Sequence, residues 1–257
     1  MRNILAIAGK ELRGYFHSPI AYLILTVWSV LCGILFWNFT GYYVQLSLRR
    51  SMMGPNAAFP TINDFVIRNM LQGVFFVVLL LLICLISMRL YAEEKKTGTI
   101  ELLLTSPVTD LQIILGKYLG ALGLYASLIV VSFLYFSVLF VYGNPNAKPL
   151  IANALGLLLY GAALLALGMW ISTFTRNQII AGVVSMVFFI ILFVLSWPEQ
   201  VSSNAITQVL SYIALSTHLE NFAKGVIDLT DTVYYLSAIA LGLFLTARSV
   251  DALKGRA

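Results

Sequence analysis

The sequence predicts an all-α, polytopic membrane protein. It has six transmembrane helices, an amphipathic helix ahead of the first, and a short amphipathic helix between the second and third. Three observations predict this. Of 257 residues, 60% are hydrophobic and 11% charged, with a mean hydropathy of +0.90, whereas soluble domains carry about 25% charged residues. That much apolar surface cannot be buried in one water-soluble core of this length. No Asp, Glu, Lys or Arg occurs between Arg13 and Arg49, Arg68 and Arg89, Lys117 and Lys148, Lys148 and Arg176, Arg176 and Glu199, or Asp231 and Arg248, and a helix needs roughly 20 apolar residues to cross the hydrocarbon. The last window is slightly short, which puts Asp231 and Arg248 at the two interfaces. Finally, Lys and Arg are spread unevenly over the connecting segments, as in a chain with a fixed orientation.

Ile4, Ala8, Leu12, Tyr15 and Phe16 recur at helical spacing, with Arg2, Lys10 and Arg13 adding a basic face. Residues 1–17 therefore read as an interfacial amphipathic helix, with a frayed cytoplasmic tail as the alternative. Lys10, Glu11 and Arg13 interrupt any signal-peptide core, so no cleavable leader is expected. Ser18 and Pro19 start a new helix, Ser as cap and Pro at the first helical position. The first span covers 19–43. Arg49, Arg50, Gly54, Pro55, Pro60 and Asp64 mark a loop, with room for a short surface helix.

The second span, 69–91, runs into Glu93, Glu94, Lys95, Lys96, Thr97, Gly98 and Thr99, the most charged stretch of the chain. Gly98 suits a left-handed helix end. Thr99 caps a short helix over 99–105, and Glu101 in its first turn suits the helix dipole. Ser106 and Pro107 end it. Thr109 and Gln112 have capping-box spacing, which opens the third span, 110–142. Gly116 and Gly120 form a GxxxG that permits close helix packing. A tight turn at 143–146 leads to the fourth span, 150–174, and a short turn at 175–177 to the fifth, 179–197. Residues 199–231 hold Leu210, Ile213, Leu215, Leu219, Phe222, Val226 and Ile227 among scattered charges. They read as an extracytoplasmic amphipathic segment resting on the membrane or dipping into it, since a soluble loop would expose too much apolar surface. The sixth span covers 232–247, and the chain, 1–257, is a single transmembrane domain.

With the N-terminus in the cytoplasm, Arg2, Lys10, Arg13, Arg89, Lys95, Lys96, Lys117, Arg176, Arg248, Lys254 and Arg256 fall inside. Arg49, Arg50, Arg68, Lys148 and Lys224 fall outside, five of the 16 basic residues. Both termini and the segment 93–107 are thus expected in the cytoplasm. The net charge of +5 suits topology and headgroup attraction. No basic stripe with interleaved aromatics points to nucleic acid. Cys32 and Cys84 fall in apolar windows and read as unpaired residues. His17 and His218 read as isolated interfacial histidines with no metal-ligand spacing around them.

There is no GxxxxGK[ST] phosphate loop, no HExxH and no GxSxG. The six windows hold no ionisable group of the kind a proton-coupled carrier places mid-membrane. A transporter without an energy source of its own needs one from outside. The segment between spans two and three is either the surface where that energy enters or a plain connector.

Residues 92–122, AEEKKTGTIELLLTSPVTDLQIILGKYLGAL, resemble the signature stretch of ABC type-2 permeases. In that family an acidic-basic cluster precedes Gly-Thr, an apolar coupling helix and Ser-Pro. The matching residues are Glu93, Glu94, Lys95, Gly98, Thr99, Glu101, Leu102, Leu103, Ser106 and Pro107. Residues 10–22, KELRGYFHSPIAY, are similar to the family's elbow helix and the start of its first span. Residues 218–237, HLENFAKGVIDLTDTVYYLS, resemble the region before the sixth span in permeases of the gliding-motility and nitrous-oxide-reductase-maturation kinds.

The resemblance implies a non-catalytic, multi-pass subunit of a bacterial inner-membrane transporter. It implies a second permease subunit, the same or different, paired mainly through the first and fifth helices. It also implies two copies of a separate ATPase that hold ATP and Mg, this chain carrying no cofactor and no metal. By the same resemblance Glu93 and Glu94 meet basic groups or backbone donors of the ATPase. Leu102, Leu103 and Leu104 fill its apolar groove, and Gly98 allows the sharp turn. Two other readings stand beside this one. One is a subunit that passes force to an extracytoplasmic accessory protein without moving a solute, and the other is an ATP-independent carrier or channel.

Overall fold

The first helix, α1 (Arg2–His17), stops at Ser18, whose Oγ accepts the Ile20 N–H at 3.4 Å, and Pro19 opens α2 (Pro19–Met53). Pro costs nothing there because its missing N–H has no intrahelical partner to lose. A single π-helical turn (Asn63–Ile67) leads through α3 (Arg68–Leu71) and α4 (Val74–Ser87) to α5 (Arg89–Thr97). The long α6 is Asp110–Tyr142, α7 is Ala147–Ser172 and α8 is Gln178–Val194. The chain closes with α9 (Ala205–Ile213), α10 (Leu219–Ala223) and α11 (Leu229–Lys254). The computed structural model describes residues 2–53, 61–71, 74–99, 108–142, 145–197 and 204–254, and every regular element among them is helical.

Local chemistry sets the helix ends. Asn146 accepts the Lys148 N–H at 3.1 Å at the start of α7, and Asn177 accepts the Ile179 N–H at 2.9 Å at the start of α8. The Asn204 N–H donates to Thr207 Oγ1 at 2.8 Å in a capping box that opens α9. Ser87 Oγ donates back to the Cys84 carbonyl at 3.3 Å where α4 gives way to α5, a bond that bends helices.

Among the described residues, five helices are long and apolar enough to cross a membrane: Pro19–Arg49, Phe76–Thr97, Asp110–Tyr142, Ala147–Ser172 and Leu229–Lys254. The sequence reading expects six. Its fifth, 179–197, falls on α8, which has 17 residues and is about 26 Å long against a hydrocarbon core of about 30 Å. Its sixth, 232–247, is part of a 26-residue helix. The short helix expected over 99–105 lies outside the described residues apart from Thr99.

Helix α7 is the centre of the bundle. In its most apolar stretch 67% of residues are buried, against 22% in α2 and 17% in α11. Its small residues allow this. A Cβ on Gly156 would stand 2.5 Å from Phe222 Cβ, and one on Gly161 would overlap the Tyr125 ring. From the far side, Gly242 of α11 meets the Ala166 backbone so closely that a Cβ would stand 2.8 Å from the carbonyl carbon. Tyr125 O–H donates to the Leu157 carbonyl at 2.5 Å and Tyr118 O–H to the Ala162 carbonyl at 3.0 Å, fastening α6 to α7. Trp28 Nε1 donates to the Leu128 carbonyl at 2.9 Å and to Ser132 Oγ at 3.1 Å, fastening α2 to α6.

The GxxxG of α6 has a definite neighbour. Gly116 faces Ile7 and Gly120 faces Glu11, so that a Cβ on either would lie 2.6 Å from the Cβ opposite. The motif therefore seats α1 of the same chain along the start of α6.

Gly161→Ala is expected to destabilise the protein by about 1–3 kcal/mol through overpacking against Tyr125, read as a lower melting temperature in detergent. Tyr125→Leu added to it should recover part of that loss. Gly41→Ala, on a stretch of α2 with open space around it, should be neutral or stabilising by up to about 1 kcal/mol.

Candidate functional site

At one end of the bundle the chain leaves the membrane-spanning helices and returns between α5 and α6. Helix α5 ends because Gly98 takes φ +74°, the left-handed conformation that side-chain-bearing residues resist. Thr97 Oγ1 donates to the Glu93 carbonyl at 3.0 Å and lies 2.9 Å from Thr99 Oγ1. This fixes the direction in which the chain departs.

Each root of the segment is tied to other helices by charge. Lys117, 2% exposed on α6, reaches Glu94 Oε1 of α5 at 2.6 Å and Glu11 Oε1 of α1 at 2.9 Å. Lys95 Nζ donates to the Thr173 carbonyl just past the end of α7, where a cation also meets the negative end of the helix dipole. Asp110, the first residue of α6, accepts Lys254 Nζ of α11 at 2.6 and 2.8 Å. Arg89 and Glu93 pair within α5 at 2.8 Å. Tyr15 O–H donates to the Ile86 carbonyl at 3.4 Å; burial first, then Glu11, pushes its phenol well above the usual range, so it remains a donor. A pocket of about 350 Å³ lies among Glu11, Tyr15, Arg89, Glu93, Glu94 and Lys117.

Of the residues singled out in the sequence, the structure places Glu93, Glu94, Lys95, Gly98 and Thr99 together at the exit from α5. Only Glu94 and Lys95 reach other helices; Glu93 is occupied by Arg89 of its own helix. Glu101, Leu102, Leu103, Leu104, Ser106 and Pro107 lie outside the described residues. Sequence reasoning missed Glu11, Lys117, Asp110 and Lys254 as members of the site. One signal was available: Glu11 is the first acidic residue and stands alone before Asp64, on a face otherwise basic. Among the described residues no three His, Cys, Asp or Glu side chains converge as a metal site needs.

A model of the ABC-2 family transporter protein matches residues 5–240. The chain belongs to the ABC-2 transporter family. No curated protein matches it. Membership makes this a membrane permease of an ABC transporter, a multi-pass chain in a family whose transmembrane component works with an ABC ATPase subunit and is generally non-catalytic. The matched region contains the whole exit from α5 and its ion pairs with α1 and α6.

The opposite end of the permease carries a second polar constellation, and it corrects one expectation. His218 is not isolated, since it pairs with Asp231. Both are buried: His218 Nδ1 lies 2.7 Å from Asp231 Oδ1, and Asn221 Nδ2 donates to Asp231 Oδ2 at 2.7 Å. His218 Nε2 lies 3.0 Å from the Tyr212 carbonyl, and the ring stacks on Tyr234 at 3.8 Å. The segment expected on the membrane surface sends Leu215, Leu219 and Phe222 into the core. Gly225, at φ +82°, follows α10 and packs against Pro149 at the start of α7. Helix α9 keeps an open apolar stripe, Ile206, Val209 and Ile213.

Asp231→Ala takes the acceptor from the buried His218 and the half-buried Asn221. It should cost about 1–3 kcal/mol for the His218 contact and less for Asn221, measured as a fall in melting temperature of the purified permease. Glu220→Ala, which removes only an exposed pair with Lys224, should change stability by no more than about 1 kcal/mol.

Proposed function

We propose that this permease couples ATP hydrolysis on a separate ATPase subunit to export or extrusion of a substrate across the bacterial inner membrane. The observation that carries this reading is the anchoring of both roots of the 97–110 segment. Glu94 and Lys95 tie one root to α1, α6 and the end of α7; Asp110 ties the other to the end of α11. A push on the segment would reach four helices at once. A plain connector has no use for such a set of ties.

In this reading the segment is the coupling helix. Glu93 and Glu94 lie beside the ATPase, Leu102, Leu103 and Leu104 enter its groove, and two ATPase copies hold ATP and Mg. The chain crosses six times, α8 being the short fifth crossing extended through the turn to Trp197. It has α1 as an interfacial elbow, both termini in the cytoplasm and a second permease subunit beside it. The likeness of residues 218–237 to gliding-motility and nitrous-oxide-reductase-maturation permeases suggests that branch of the family. The open stripe on α9, with exposed Val226, Ile227 and Leu229 nearby, favours one second reading: an extracytoplasmic accessory protein receives the motion and no solute crosses.

Affinity purification from membranes with mass spectrometry should recover a soluble ATPase together with the permease. Gly98→Pro and the neutral Glu94→Gln should insert normally and still bring down that ATPase. In proteoliposomes its hydrolysis should no longer drive turnover. Coupled turnover at the wild-type rate in both variants would remove the coupling-helix assignment.

A further inference from the structure

Lys117 is the buried cation of this end of the molecule, and its surroundings are specific. It sits about two turns into α6, with Gly116 beside it and Gly120 one turn on. Both glycines bring the α1 backbone so close that a Cβ would stand 2.6 Å from Ile7 Cβ or Glu11 Cβ. The α1–α6 contact is thus already fixed by shape. The ammonium adds something that shape does not, a link from that pair to α5. It bonds Glu11 Oε1 on one side and Glu94 Oε1 on the other, and lies 5.6 Å from the Tyr91 ring centroid.

Stability does not explain this arrangement. A buried ion cluster replaced whole by apolar or neutral groups is often unchanged or more stable, whereas removing one member leaves uncompensated charge. Two carboxylates from different helices around one ammonium have a different property. They hold only while the ammonium is between them, and they repel each other without it. Glu94 Oε2 and Arg89 Nη1 are buried with no hydrogen-bond partner in the structure, so within the cluster Lys117 is what links Glu94 to α1 and α6, while Lys95 separately ties α5 to the end of α7.

We propose that Lys117 is the positioning residue that makes α1, the end of α5 and the start of α6 move as one body when the 97–110 segment is pushed. This rests on the coupling reading above. Both roots of the segment then swing with α1, and the motion passes to the rest of the bundle instead of being lost in bending of α5 alone.

The test uses the full-length permease co-purified with its ATPase in lipid nanodiscs. Spin labels are placed at Leu5 on α1 and Ile179 at the start of α8, both exposed. Their distance distribution is read with and without ATP. Wild type should show an ATP-driven shift, and Lys117→Arg should keep it. Lys117→Met should lose it, with a broadened distribution as Glu11 and Glu94 separate. Because Lys117→Met can also fail by misfolding, the deciding variant is the neutral triple Glu11→Gln, Glu94→Gln, Lys117→Met. It removes the charges together and should fold and retain the ATPase. Loss of the shift in an assembled triple variant supports the proposal. A wild-type shift in the triple variant overturns it and leaves the coupling reading standing. Absence of any ATP-driven shift in wild type overturns both.

Discussion

The bundle depends on how closely other helices approach α7. In a bilayer, lipid tails are as apolar as leucine side chains, so burying a helix gains little from the hydrophobic effect, and helix association rests on packing and hydrogen bonds. Helix α7 meets that constraint with small residues on several faces. Gly156 receives Phe222, Gly161 receives Tyr125, Gly168 receives Ser87, and Ala166 receives Gly242. Four separate parts of the chain, α10, α6, α4 and α11, are placed by these contacts. The tyrosines that fill the space also donate to α7 carbonyls, bonds that do not compete with water inside a membrane.

The two ends follow from this centre. With α6, α4 and α11 seated along α7, the start of α6, the continuation of α4 through α5 and the end of α11 come to one end of the bundle. Lys117 is then within reach of Glu94, and Asp110 of Lys254. At the other end α10 is folded onto the start of α7, which brings His218 to Asp231 in the first turn of α11. Neither cluster organises the fold. Each consists of charges that the packing of small residues has already brought together, which is why they can serve functions other than stability.

Local chemistry made much of the helix plan legible. Ser18 with Pro19, Thr109 before Asp110, Asn146 and Asn177 each mark a boundary found in the structure to within a residue or a turn. Those signals act within one turn of helix, so one sequence carries them. Two things were out of reach. Hydropathy does not distinguish a helix surrounded by protein from one surrounded by lipid: α7 and α2 are nearly equally apolar, yet one is mostly buried and the other mostly exposed. And the partners of Lys117 are not written near it, since Glu11 lies 106 residues away along the chain. The His218–Asp231 pair spans only 13 residues, but Leu219 and Phe222 read alike whether they face lipid or the protein interior.

The placement of charge also bears on where energy enters. An ion in the hydrocarbon is expensive, and chains that carry one there use it as a relay or a binding site. Here the buried ions stand at helix ends or within about two turns of one, each against an opposite charge or a hydrogen-bonding partner, while the apolar stretches between hold none. The six charge-free windows of the sequence hold no Asp, Glu, Lys or Arg to serve as such a relay. What the permease has is a departing segment held on both sides by ion pairs from different helices. Such pairs keep their geometry through a rigid-body movement and lose it through a local one. A structure of this kind suits work delivered mechanically at one end and carried to the other by helices too tightly packed on α7 to absorb it by bending.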